Sequence, residues 1–205
     1  MFKTYIRATT LVYDPKALPW APTHWADFWD LAAFPGRRGL HHSARLSLEL
    51  ALLADGVKVS QVYPALRKSS GVDRAFHKLE QIKSHIQWWD AGAEPLQWLV
   101  SGEVSMSSVY TARSIDMRPQ EADFPLQWRG RLYDMDSWGV VRGGRDKAAA
   151  QTCIAFASVS QQQELFAWII HGCPSHAQAL RVDHGFWRDH GEALEERFKH
   201  WAAAS

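Results

Sequence analysis

The spacing of apolar residues along the chain switches repeatedly between the periods of strands and helices. Thr4 to Tyr13 is rich in β-branched and aromatic residues, which predicts an extended strand. Further short strands are predicted at Gly39 to His42, Ile86 to Trp89 and Val104 to Tyr110. Apolar residues three or four positions apart predict helices between these strands. This alternation predicts an α/β fold with a mainly parallel sheet, whose ligand edge lies at the carboxyl ends of the strands.

The second half of the chain begins with a predicted surface loop, the acidic and proline-containing stretch Ile115 to Pro125. Two strands are predicted next, at Leu126–Leu132 and Asp136–Arg142, and the remainder is predicted to be helical. Helical stripes cover Ala148–Ala157 and Phe186–Ala203, and Ser160 with Gln163 forms a capping-box pattern between them.

Composition excludes several classes of partner. The 205 residues are 46% hydrophobic and 22% charged, as in ordinary soluble globular proteins. Lys and Arg total 23 against 22 Asp and Glu, so the formal net charge of +1 gives no broad field for nucleic acid or an anionic membrane. Eleven Trp residues are unusual, and some of these rings are candidates to face a ligand.

Cys153 and Cys173 could form one disulfide or remain two thiols, and a single pair does not fix the redox compartment. The stretch from Met1 to Arg7 lacks the apolar run of a secretory signal, and no segment is apolar enough to span a membrane. On these features alone the chain is predicted to be cytoplasmic if the sequence is complete.

Signals of enzymatic chemistry are weak, so we predict a protein that is not an enzyme and that needs no cofactor. The stretch His171 to His176 lacks the spacing of specific metal sites, and we predict no metal site. His41 and His42, and likewise His184 and His190, are interpreted as surface or helix-face residues. No phosphate-binding loop, nucleophile elbow or dinucleotide fingerprint occurs.

Several segments, in order along the chain, resemble the extracellular solute-binding proteins of polyamine-type (spermidine or putrescine) ABC importers, which have the type II periplasmic-binding-protein fold. The most informative segment runs from Leu132 to Gly144, with an acid between aromatic residues and a glycine turn at its end. The other segments are Pro22–Asp30, Phe34–Arg38, Leu48–Val57, Trp88–Trp89, Leu99–Val104 and Phe186–Phe198.

The resemblance implies a division of the chain into four parts. Residues 1–14 would form the first hinge strand, 15–125 an α/β lobe equivalent to lobe 2, 126–145 the return hinge strands, and 146–205 the C-terminal helical remainder of lobe 1. Most of the first lobe would be absent, and the segment between Leu180 and Phe186 would be shortened. The resemblance also implies a small-molecule solute held between two lobes, an ABC permease as partner, and a periplasmic location.

The resemblance implies that Asp136 binds a ligand amine, because the related motif carries an acid there; the alternative is an Asp that stabilises a turn. Tyr110, Trp89 and Trp138 are aromatic candidates that could cover methylene groups or attract a cation. For each of them the alternative is ordinary packing in the core or a wall.

Ser43 and Arg45 follow a predicted strand and begin a helix, where backbone N–H groups favour an anion. Polyamine-binding relatives commonly carry carboxylates around this junction, whereas Arg45 would repel an amine. An acidic or zwitterionic solute, such as an amino acid, is therefore an alternative to a polyamine.

Two functions remain open. The chain is interpreted as a truncated solute-binding component of an ABC importer, or alternatively as a non-transporting remnant or interaction module. In either case the last helix, with Trp187, Phe198 and Trp201, and the hinge strands are expected to have lost their packing partners. Homo-oligomerisation, most simply a homodimer, is therefore predicted to cover this surface.

Overall fold

The computed structural model describes residues 2–111, 124–159 and 179–204, without the side chains of residues 2–6, 136 and 137. The strands are β1 Phe2–Tyr13, β2 Arg38–His41, β3 Ile86–Trp89, β4 Met106–Tyr110, β5 Leu126–Trp138 and β6 Leu180–Arg181. The helices are α1 Trp25–Trp29, α2 Ala44–Ala54, α3 Val62–Leu66, α4 Ser69–Glu80, α5 Glu94–Ser101, α6 Lys147–Ala157 and α7 His184–Ala203. Short 3-10 turns occupy Val59–Gln61 and Lys83–His85.

The strands that the structure describes form one sheet in the order β3-β2-β4-β1-β5-β6. Strand β2 is parallel to β3 and β4, and β5 is parallel to β6. Strand β1 lies between β4 and β5 and runs antiparallel to both. The predicted α/β class with a mainly parallel sheet is confirmed, with β1 as the strand that runs against the others.

The longest pairing in the sheet joins β1 to β5. Its register places Thr9 opposite Leu132 and Arg7 opposite Asp134, with irregularities along the way. The prediction of two separate strands here is wrong. Pairing with β1 continues through Tyr133 to Trp138, so the backbone stays extended across the predicted break, and residues 139–142 lie beyond the strand.

Helices cover the sheet and bury a continuous apolar core, because each contributes the apolar stripe that the spacing predicts. Leu48, Leu50 and Leu52 of α2 are almost fully buried, and so is Leu79 of α4. Helix α7 packs against α2. The fully or nearly fully buried side chains include Trp25, Phe28, Leu40, Trp89, Phe186 and Phe198.

The expectation that the last helix has lost its packing partners is wrong for two of its three named residues. Trp187 and Phe198 are 7% and 1% exposed and belong to the main core. Trp201 is partly buried and contacts the rings of Phe76, Trp88 and Phe198. Helix α7 therefore covers its apolar stripe within this chain, which removes the argument for self-association through that stripe.

Some predictions fall outside the described residues or stay predictions. The capping box at Ser160 and Gln163 and most of the predicted loop from Ile115 to Pro125 are outside them, as is Cys173. Cys153 is a free, exposed thiol on α6. The four-part domain division also stays a prediction; β1 and β5 lie side by side in the same sheet as β2 to β4.

Candidate functional site

A cavity of about 210 Å³ opens beside the carboxyl ends of β2 and β4, where the fold predicts the ligand edge. Charged, hydroxyl and aromatic side chains share its wall with a few apolar ones. It is lined by Arg7, Thr9, His41, Ser43, Arg45, Leu46, Tyr110, Leu132, Tyr133, Asp134 and Val182.

The segment from Ser43 to Leu46, here called the site loop, turns the chain from β2 into α2. Although α2 is assigned from Ala44, Arg45 has an extended ψ of 134° and Leu46 has a φ of 76°. A positive φ is unfavourable for a residue with a β-carbon, at a cost of about 1–3 kcal/mol. The surrounding contacts must therefore hold this conformation.

Every backbone N–H of the site loop has an acceptor. Ser43 N–H donates to the carbonyl of His41 at 2.8 Å. Ala44 and Arg45 donate to the two carboxylate oxygens of Glu195 on α7, at 2.9 and 3.1 Å, and Ser43 Oγ donates to the same carboxylate at 2.6 Å. Leu46 N–H donates to Glu49 Oε2 at 2.9 Å. Two carboxylates from different helices thus clamp the loop.

Glu49 is fully buried beneath the loop and accepts two further hydrogen bonds. Its Oε1 accepts from Tyr63 Oη at 2.9 Å and from Trp187 Nε1 at 2.6 Å. Burial raises the pKa of Glu49 to about 6, with the hydrogen bonds opposing that rise. Burial, together with the Glu49 carboxylate, raises the pKa of the Tyr63 hydroxyl. The network ties α2, α3 and α7 together under the cavity.

Arg45 and Asp134 form the charged centre of the cavity wall. The Arg45 guanidinium donates to Asp134 Oδ2 at 2.8 Å, with side-chain exposures of 35% and 9%. Arg7 lies 3.9 Å from the same oxygen, and His184 Nε2 contacts Oδ1. Met135 N–H also donates to Oδ1, at 2.7 Å. Two guanidinium groups therefore face one carboxylate.

An aromatic group forms the other side of the cavity. The Arg7 guanidinium lies 5.6 Å from the centre of the Tyr110 ring. Burial raises the pKa of Tyr110 and lowers the pKa of His41, so the phenol and a neutral imidazole are favoured. Among the described residues, His41 Nδ1 is buried without a hydrogen-bond partner. His41 is thus only partly exposed and lines the cavity, whereas its neighbour His42 is exposed, as the sequence interpretation has it.

The structure brings three of the six predicted site residues into the cavity wall: Ser43, Arg45 and Tyr110. Trp89 lies behind the wall, where its ring contacts Tyr110 and its Nε1 donates to Ser108 Oγ at 3.1 Å. Trp138 is half exposed and does not line the cavity. Asp136 belongs to β5, but its side chain is outside the described part of the chain, so its role stays a prediction.

Sequence reasoning missed several wall residues that carry charge. Asp134 stands two positions before Asp136 in the segment from Leu132 to Gly144, so strand periodicity makes it an equal candidate. Arg7 is the one charged residue in the predicted strand Thr4 to Tyr13, which is a readable signal. The contact of His184 with Asp134 and of Glu195 with the site loop had no such signal, because α7 reaches the site only through tertiary packing.

The described residues include no group of three or more potential metal ligands, and no described helix is long and apolar enough to cross a bilayer. The charged cavity at a sheet edge instead has the features of a small-molecule binding site.

A cavity at the carboxyl ends of the strands of an α/β sheet is a common position for a ligand site. Residues 3–192 match the bacterial extracellular solute-binding protein family, and the chain belongs to this family. The resemblance read from the sequence segments is thereby confirmed at the level of the family, a class of binding proteins rather than enzymes.

Two relatives give the comparison more detail. The gamma-aminobutyric acid-binding protein of Pseudomonas aeruginosa is 43% identical over 222 aligned residues, which cover 98% of this chain and 63% of the relative. The chain thus spans less than two thirds of that curated relative. The solved structure of the Atu4243-GABA receptor has a TM-score of 0.85 and 28% identity, over 99% of this chain and 68% of that one.

The polyamine specificity is not confirmed. The spermidine/putrescine-binding protein PotD from Streptococcus pneumoniae has a TM-score of 0.70 but only 14% identity, over 98% of this chain and 69% of that one. At this identity the similarity shows a common fold alone.

Proposed function

We propose that this chain binds a small zwitterionic amino acid of the gamma-aminobutyric acid (GABA) type, as part of the solute receptor of an ABC importer. The observation that carries the proposal is the Arg45–Asp134 ion pair in the wall of the cavity. The 43% identity to a GABA-binding protein supports the same ligand class.

A zwitterion suits this wall because its two ends match the two members of the ion pair. The ligand carboxylate would form an ion pair with the guanidinium of Arg45, and the ligand ammonium would form one with the carboxylate of Asp134. Each protein charge would exchange one charged partner for another, so neither would be left buried and unpaired. The ring of Tyr110 offers an apolar surface for the methylene groups between the ligand's ends.

The charges of the wall argue against a polyamine. Arg7 and Arg45 both face the cavity, and a second ammonium group on the ligand would meet guanidinium groups without a second described carboxylate. The volume of about 210 Å³ lies below the roughly 300–1,000 Å³ of sites for drug-sized ligands. The volume favours a short ligand, which GABA and putrescine both are, so it is the charges of the wall that favour the amino acid.

Transport follows from the family rather than from the cavity. A solute-binding protein changes its equilibrium between conformations when ligand binds one of them more tightly, and an ABC permease reads that change. We propose a periplasmic location and an ABC permease partner on this basis. The alternative of a self-associating remnant has less support, because Trp187 and Phe198 are buried within the chain.

Isothermal titration calorimetry tests the proposal with GABA, putrescine, spermidine and acetate as ligands. We expect saturable 1:1 binding of GABA and weaker binding of the other three. Arg45→Ala and Asp134→Asn should each weaken GABA binding by about 100-fold, since each removes the partner of one charged end of the ligand, at a cost of about 2–5 kcal/mol once the bound ligand excludes water.

The exposed pair Arg188–Asp189, also 2.8 Å apart, provides matched controls. Arg188→Ala and Asp189→Asn should leave the Kd for GABA within about twofold of the original. Tighter binding of putrescine than of GABA, or GABA binding that survives both cavity substitutions, would contradict the proposal.

A further inference from the structure

We propose that Glu195 is a positioning residue for ligand recognition: its carboxylate fixes the site loop so that Arg45 presents its guanidinium to the ligand carboxylate. The inference rests on the proposed function. It concerns a side chain that does not line the cavity and comes from a helix remote in sequence from the loop.

The geometry of the contact supports a specific role. The Glu195 carboxylate receives three donors from three consecutive residues, at 2.6, 2.9 and 3.1 Å. One of these donors is the backbone N–H of Arg45, the residue whose guanidinium pairs with Asp134. Fixing this peptide group fixes the direction in which the Arg45 side chain leaves the backbone.

The site loop also needs an external support, because it contains an unfavourable conformation. Leu46, with its φ of 76°, directly follows Arg45. Glu49 holds the Leu46 N–H from below, and Glu195 holds the two preceding N–H groups from the side. Without Glu195, the loop could relax at Ala44 and Arg45 while Leu46 stayed anchored.

Glu195 has a second consequence for selectivity. Consecutive backbone N–H groups at the start of a helix attract anions. Without Glu195, a ligand carboxylate could bind either to these N–H groups or to the Arg45 guanidinium. The carboxylate of Glu195 already accepts the backbone N–H groups of Ala44 and Arg45. The guanidinium of Arg45 is thus left as the group of the site loop that is free to exchange partners.

Helix α7 is fastened on both sides of Glu195, so the carboxylate is held at a defined position. On one side, Trp187 Nε1 donates to Glu49 at 2.6 Å. On the other side, Arg197 donates to Asp73 of α4 at 2.8 Å, and Phe198 is buried. A carboxylate mounted this way acts on the loop without being displaced by it.

The test compares Glu195→Gln and Glu195→Ala with Glu196→Gln. Glu196 is the next residue on α7, its side chain is 68% exposed, and it lies 3.7 Å from His200 Nε2. Because two oxygens and three donors are involved, Glu195→Gln should weaken GABA binding by about tenfold and Glu195→Ala by more. Glu196→Gln should bind as the original protein does.

A double substitution separates positioning from general stability. If Glu195 acts through Arg45, adding Glu195→Gln to Arg45→Ala should weaken GABA binding less than about twofold further. Full additivity of the two losses would overturn the proposal, and so would a Glu195→Gln protein that binds GABA within twofold of the original.

Two measurements without ligand keep the inference independent of the proposed function. In hydrogen exchange, the Ala44 and Arg45 amides should exchange at least about tenfold faster in Glu195→Ala than in the original protein. The Arg45 Nε–H resonance should also shift toward that of a solvated guanidinium. Unchanged amides and an unchanged resonance would refute the role of Glu195 even if GABA proved not to be the ligand.

Ser43→Ala provides a second variant in case Glu195→Ala does not fold. It removes one of the three donors and leaves the carboxylate in place, so a smaller loss of affinity, about threefold, is expected. A Ser43→Ala protein with unaltered affinity and unaltered Arg45 exchange would count against the clamp.

Discussion

Arg38 and Arg45 are separated by one short strand and a turn, yet their guanidinium groups are in opposite situations. Arg38 is completely buried, and its nitrogen atoms donate to the carbonyls of Phe28 and Gly36 at 2.7 Å and to Ser105 Oγ at 3.0 Å. Arg45 is about one third exposed and donates to the Asp134 carboxylate in the cavity wall.

The difference lies in the acceptors. The carbonyls around Arg38 are fixed parts of the backbone near the end of α1 and the turn before β2, and no ligand can replace them. Burial lowers the pKa of Arg38 to about 10, so it stays charged at neutral pH. The partner of Arg45 is an ion in contact with solvent space, which a charged ligand can replace. The structural arginine and the arginine that we propose for recognition are therefore distinguished by their acceptors rather than by their sequence context.

The largest expected effect tests the structural side of this comparison. Arg38→Met should lower the free energy of unfolding by about 3 kcal/mol or more, because several buried carbonyls lose their donor at about 1–3 kcal/mol each. Urea unfolding measures this, with the exposed neighbour Arg37→Met as the control, expected to change stability by less than about 0.5 kcal/mol. If Arg38→Met and Arg37→Met lowered the unfolding free energy equally, the structural role of Arg38 would be contradicted.

A second prediction uses Glu49, a carboxylate as buried as Arg38. Its raised pKa of about 6, against an ordinary 4.5, means that the folded state holds the proton more tightly. The contribution of Glu49 to the unfolding free energy therefore falls as pH rises from about 4.5 to about 6, by on the order of 1–2 kcal/mol.

Urea titrations at pH 4.5, 5.25, 6 and 7 check this dependence. Glu49→Gln should remove that part of the decline, whereas the exposed Glu192→Gln should keep it. A Glu49→Gln protein with the same pH profile as the original would show that the buried carboxylate does not titrate in this range.

The smallest expected effect concerns the stability cost of losing Arg45. Since its pair with Asp134 is partly open to solvent, Arg45→Met should lower the unfolding free energy by about 1 kcal/mol or less. The same substitution should abolish most GABA binding. A loss of stability as large as that of Arg38→Met would mean that Arg45 is a structural residue too, and the distinction between the two arginines would fail.

Local features of this fold were predictable because they depend on local periodicity. The strand Ile86–Trp89 and the start of α6 near Ala148 follow directly from residue type and spacing. Helix α4 begins at Ser69, and Gly71 allows its first turn to pack on Ala65, a tertiary contact that periodicity does not predict. A β-carbon at Gly71 would lie 2.1 Å from the Ala65 carbonyl oxygen.

In the candidate site, only the residues at or just after the ends of predicted strands could be predicted from the sequence. Ser43 and Tyr110 stand at junctions that the sequence marks, and both line the cavity. The pairing of Arg7 with Asp134 depends on the register between β1 and β5, which no local pattern specifies. Glu195 reaches the site because α7 packs against α2. The periodicity of α7 predicts only that Glu195 lies off the apolar stripe of the helix.

The antiparallel strand at the middle of the sheet has a consequence for how the chain reaches its native state. Strand β1 leaves the ribosome before the others, but its two neighbours, β4 and β5, follow only after most of the helices. Pairings between segments so distant in the chain close large loops, and such topologies acquire their structure slowly. Until Leu126–Trp138 is synthesised, one edge of β1 has no partner strand among those described, and an unpaired strand edge of this kind favours aggregation.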